Sequence, residues 1–185
     1  MRARSWLTLR RGLTSIVCCA GLIGATASAA GASAHGARPA AASQCTPANT
    51  QIWLGLGIGG GTLGSIYYPL ELSNVGHHAC TLNGFPGVSA EGRGGGQVGP
   101  AASRNGQSHR TVTLAAGATA HAILRIEDWG ALCSKEVVAI ALRVYAPGET
   151  RAGEVPFSFG ACAHRGVMIV GPVGAGVGIP GYTTS

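Results

Sequence analysis

Lysine is all but absent from this chain: Lys135 is the only one in 185 residues. Charged residues reach 11%, well under the ~25% of an ordinary soluble domain. Proteins that grip nucleic acid need clustered cations to neutralise phosphates. No such cluster lies beyond the N-terminus, so nucleic acid is not expected as a partner. No Cys-x-x-Cys occurs, which removes the usual spacing of a zinc site. No G-x-S-x-G elbow occurs, which removes the commonest mark of a serine hydrolase. No ten-residue stretch carries a helical apolar period, so helix bundles are also set aside.

What is present begins with an export signal. Arg2, Arg4, Arg10 and Arg11 make a basic start, residues 12–25 are largely apolar, and Ala27-Ser28-Ala29 and Ala32-Ser33-Ala34 supply small-residue sites. That order of regions predicts a cleaved signal over 1–29, with cleavage as late as 34. The apolar run is shorter than the ~20 residues of a spanning helix, so no stable membrane span is expected after cleavage. Cys18 and Cys19 lie inside the apolar run and belong with the signal. The remaining chain carries nine basic and seven acidic residues, a net +2, so the sequence pI of 9.3 is largely a property of the signal.

Four cysteines remain: Cys45, Cys80, Cys133 and Cys162. An even number in an exported chain reads as two disulfides, for which three pairings exist. Cys45–Cys80 and Cys133–Cys162 are favoured, because each pair brackets consecutive strand signals. Residues 30–44 read as an alanine-rich disordered lead, 45–173 as one domain and 174–185 as a flexible tail. Within the domain, period-two alternation recurs. Ile52, Leu54 and Leu56 share a face; so do Ile66, Tyr68, Leu70 and Leu72. Ala120, Ala122, Leu124 and Ile126 repeat the pattern, as do Val138, Ile140, Leu142 and Val144, and then Val155, Phe157 and Phe159. Pro69 has no N–H, so its strand is expected at an edge or at a bulge. Residues 91–96, dense in glycine, read as a mobile loop. About eight short strands with turns and two disulfides predict an all-β fold, an antiparallel immunoglobulin-like β-sandwich.

The motif order then points to a family. An early cysteine is followed by Leu54-Gly55 and a glycine run, then Gly64-Ser65-x-Tyr67 and Leu70-Glu71-Leu72-Ser73-Asn74-Val75-Gly76. Next come Ala79-Cys80-Thr81-Leu82-x-Gly84-Phe85-Pro86-Gly87-Val88, Val98-Gly99, Val112-Thr113-Leu114-Ala115-x-Gly117, Cys133 and Leu142-Arg143-Val144. This resembles the actinobacterial exported family called domain of unknown function 4232, over residues 45–173. The resemblance implies an exported or envelope-attached β-sandwich with paired cysteines. It implies no activity and no catalytic residues.

Candidate chemistry is sparse. Residues 55–60 match G-x-G-x-x-G, but strand formers follow where a dinucleotide site needs a helix. His77, His78, His109, His121 and His164 show no ligand spacing and read as solvated surface residues; no metal and no cofactor are expected. Glu127, Asp128 and Trp129 form a possible ligand-contact loop leading to Cys133. The expected function is a secreted or cell-envelope recognition module, not an enzyme, acting on an extracellular or envelope partner. A structural envelope protein and a secreted protease inhibitor are the alternatives.

Overall fold

The computed structural model describes residues 41–59, 64–127 and 133–181. All belong to one compact unit, Pro39–Ser185. The predicted signal, residues 1–29, therefore lies outside the described residues, as do Asp128 and Trp129. Thirteen strands occur among the described residues: β1 (Ser43–Gln44), β2 (Thr50–Leu54), β3 (Ile58–Gly59), β4 (Ser65–Asn74), β5 (Cys80–Leu82), β6 (Gly87–Glu91), β7 (Ser103–Arg104), β8 (Val112–Leu114), β9 (Thr119–Glu127), β10 (Glu136–Tyr145), β11 (Ala152–Cys162), β12 (Met168–Val170) and β13 (Gly174–Ala175). No helix is present among them, and none is long and apolar enough to cross a membrane.

The largest sheet runs β2-β4-β9-β12-β7, with β3 added to β4 and β13 to β9; β11-β10-β6 and β1-β5-β8 form two smaller sheets. The expectation of a wholly antiparallel fold is corrected in two places. β1 pairs with β5, and β12 with β7, in parallel. Each parallel ladder is two residues long and joins segments distant in sequence, so no hairpin constrains its direction. The cysteines pair as Cys45–Cys80 and Cys133–Cys162.

Alternation places the core. Leu70 and Leu72 of β4 are fully buried and stand opposite Ala122 and Ala120 of β9. Large against small across the ladder lets the layers interdigitate, and each such leucine contributes about 2–3 kcal/mol through burial. Leu142, Val144 and Val155 from the β10–β11 pair enter the same core cluster, with Val88, Leu82 and Leu114. Tyr68 meets Phe157 edge-on, with ring centroids 4.9 Å apart.

Four local expectations change. β10 does not keep one inward face: its register against β11 shifts between Ala139 and Ala141. Ala139 is buried while Val138 and Ile140 are exposed; across the shift Ile140 alone faces two residues of β11, Phe157 and Ser158, so the alternation of β10 does not run through it. Pro69 sits within β4, which is paired on both sides, and its ladder to β9 is unbroken. Its missing N–H falls in the gap between β2 and β3, where the chain peels away and only Gly55 N–H donates to the Pro69 carbonyl, at 2.8 Å. Leu56, beyond the end of β2, is exposed rather than inward. Residues 91–96 close as a turn: Gly92 N–H donates to Gly96 O at 3.0 Å and Gly95 N–H to Gly92 O at 2.9 Å.

Both flanks also differ. Ser43 and Gln44, placed in the disordered lead, form β1 beside β5. Gly174 and Ala175, placed in the flexible tail, form β13 beside β9. Backbone hydrogen bonding to existing strands holds both, a term invisible in residue composition.

Candidate functional site

The inner face of the large sheet fills the core, so its outer face carries the accessible chemistry. Residues directly opposite on neighbouring strands point to the same side. Trp53 pairs with Glu71, Glu71 with His121, and His121 with Gly174. Those four positions make one row across β2, β4, β9 and β13. A second row holds Tyr67, Arg125 and Ile169, from β4, β9 and β12.

The second row opens into a groove of about 490 Å³ lined by Tyr67, Arg104, Asn105, Ile123, Arg125, Ile169 and Gly171. Its lining combines two isoleucines with two guanidinium groups, an amide and a phenol. Arg125 Nη2 donates to Glu127 Oε1 at 2.6 Å, its one side-chain hydrogen bond among the described residues. Arg104 lies 5.4 Å from the Phe85 ring centre, a cation–π arrangement that steadies an exposed side chain.

A second cavity, about 320 Å³, opens beside Ile66, Tyr68, Ile126, Glu127 and Phe159. Burial pushes the Tyr68 phenol above its ordinary value, because the phenolate loses hydration there. Tyr68 is thus a neutral hydroxyl at physiological pH. The predicted contact residue Glu127 lines this cavity while its ion-pair partner Arg125 lines the other.

The histidines divide. His77, His78, His109 and His164 are exposed, as expected. His121 is not a solvated surface residue: only 8% of it is accessible, and its neighbour Glu71 is 4% accessible. The glycine-rich segment after β13 lies across them. His121 Nδ1 donates to Gly176 O at 3.0 Å, and Gly178 N–H donates to Glu71 Oε1 at 2.6 Å. Reading the sequence alone missed this pair: Glu71 stands in the Leu70–Gly76 motif and His121 among the histidines, but nothing in either segment pairs the two. The available signal was the phase of Glu71 and His121, both opposite to the core leucines of their strands. Among the described residues no three His, Cys, Asp or Glu side chains come together as a metal cage.

No curated protein matches the chain. A family model described as domain of unknown function (DUF4232) matches residues 45–174. The match spans both disulfides, the core strands and the groove, and it agrees with the motif order from Leu70 to Val88. The chain belongs to the DUF4232 family.

Proposed function

We propose that this is a secreted or envelope-held, non-catalytic recognition domain built as an immunoglobulin-like β-sandwich, and that its groove takes an anionic extracellular ligand. Two disulfides favour an oxidising compartment outside the cytosol. The export signal read from residues 1–29 agrees with that location. Two sheets whose inner residues share one core cluster support the sandwich reading. The observation that carries the function is the groove itself. Arg104 and Arg125 line it together with Ile123 and Ile169, Asn105 and Tyr67. A few convergent polar groups among apolar ones are the ordinary make-up of a ligand site. Paired guanidiniums select carboxylate or sulfate groups.

The test is a binding screen of the oxidised domain against acidic and neutral polysaccharides and acidic peptides. An acidic ligand should bind, and Arg104→Ala with Arg125→Ala should weaken it at least tenfold. Binding of neutral ligands only, or an unchanged affinity in the double variant, would dismiss the reading.

A further inference from the structure

The segment Gly174–Gly178 behaves as a bound peptide would. It adds to the free edge of β9 as a short antiparallel strand, pairing Gly174 with His121 and Ala175 with Ala120. Gly176 N–H then donates to Thr119 O at 3.0 Å. From there it crosses the outer face, where one carbonyl accepts a hydrogen bond from His121 Nδ1 and one N–H donates to the Glu71 carboxylate. Every contact named here is made by segment backbone. Strand addition to a sheet edge, with backbone supplying affinity, is a general mode of peptide recognition.

The occupant is not a full match for its site. Glu71 Oε2 is buried and has no hydrogen-bond partner among the described residues. A buried carboxylate oxygen left without a donor is costly, and such exceptions call for an explanation. The glycines are dictated by the site. A Cβ on Gly174 would lie 3.2 Å from the His121 ring, while Gly176 and Gly178 adopt φ of +91° and +76°. Val177, between them, is exposed and makes no demand on the surface.

We propose that the β9 edge together with Glu71 and His121 is a peptide-docking site, occupied in the resting protein by the chain's own strap. Its external ligand is an extended Gly-x-Gly-x-Gly segment of another protein. Such a segment reproduces the strap backbone, and a further donor on it would reach the unpartnered Glu71 oxygen. The site is separate from the anion groove, so failure of either reading leaves the other standing.

The experiment uses the full exported chain with both disulfides formed. Gly178→Pro removes the N–H given to Glu71 and forbids the positive φ, which opens the strap. The probe is the capped peptide of residues 172–179, titrated by NMR or calorimetry. The Gly178→Pro protein should bind it at least tenfold more tightly than wild type, whose strap competes. Replacing the peptide's first glycine by valine should cost at least tenfold, and Glu71→Ala in the protein should do likewise. Equal binding by wild type and Gly178→Pro overturns the proposal, as does indifference to the valine. Hydrogen exchange on the wild-type protein supplies a measurement that needs no variant. The Gly176 and Gly178 amides should exchange at least 100-fold faster than those of Leu70 and Leu124. Exchange only on global unfolding shows a strap that never leaves, and overturns the proposal.

Discussion

Removing either disulfide separates two contributions that loop length alone does not. Cys45 and Cys80 are 35 residues apart, and chain entropy assigns their cross-link about 3.8 kcal/mol. Cys133 and Cys162 are 29 apart, which gives about 3.6 kcal/mol. The two entropy terms thus differ by only about 0.2 kcal/mol. Burial breaks the tie. Cys45 and Cys80 are both buried in the core cluster, whereas of the second pair only Cys162 is. Alanine at both positions of the first pair vacates core volume, adding about 1–2 kcal/mol. Cys45→Ala/Cys80→Ala should therefore lose about 5 kcal/mol and Cys133→Ala/Cys162→Ala about 4 kcal/mol, on a total that is ordinarily about 5–15 kcal/mol. Urea unfolding of the oxidised proteins, with mass spectrometry confirming the remaining bond, measures the difference. A larger loss from the second pair would refute the reasoning. A first-pair variant that fails to fold beside a folded second-pair variant gives the expected order.

Three more outcomes follow from single contacts. A Cβ on Gly99, at φ +68°, would lie 2.3 Å from the Cys162 carbonyl oxygen, whereas Gly96 has nothing within 4 Å. Gly99→Ala should cost more than about 2 kcal/mol in urea unfolding and Gly96→Ala less than about 0.5 kcal/mol; equal effects would contradict the geometry. Fully buried Asn74 donates through Nδ2 to the carbonyls of His78, Leu114 and Ala115, at 2.8, 3.1 and 3.2 Å. Asn74→Ala should cost about 2 kcal/mol and Asn74→Asp clearly more at neutral pH, since a carboxylate is acceptor-only and would face three carbonyls; the reverse order in thermal melts would rule this out. The Tyr68 phenol, held above its ordinary 10.0 by burial, sets a pH effect. Below that value the phenol is neutral in both folded and unfolded chains. As pH rises past it the unfolded chain ionises first, so stability falls until the folded phenol also ionises. Tyr68→Phe should remove a step above the ordinary phenol range from a 295 nm absorbance titration and flatten that loss; an unchanged titration would exclude Tyr68 as its source.

Much of the architecture is legible in a single sequence because alternation is local. Ile66, Tyr68, Leu70 and Leu72 declare their shared face without reference to any other strand. The same holds for Ala120 through Ile126. Cysteine spacing against strand signals was enough to favour the observed pairs. The failures have a common cause. The register shift of β10 against β11 at Ala139–Ala141, the place of Pro69 inside the sheet and the seating of Gly174–Gly178 all depend on a partner strand.

The amino-acid order by itself determined the all-β class, favoured the two cross-links and marked which side of β4 and β9 meets the core, since side-chain alternation is a property of one strand. Only the tertiary structure decided which strands are neighbours, and hence that Glu71 and His121 stand side by side beneath the strap while Tyr67, Arg104 and Arg125 gather in one groove. Pairing is set by the summed burial and backbone hydrogen bonding of distant segments, and no short window of residues carries that sum.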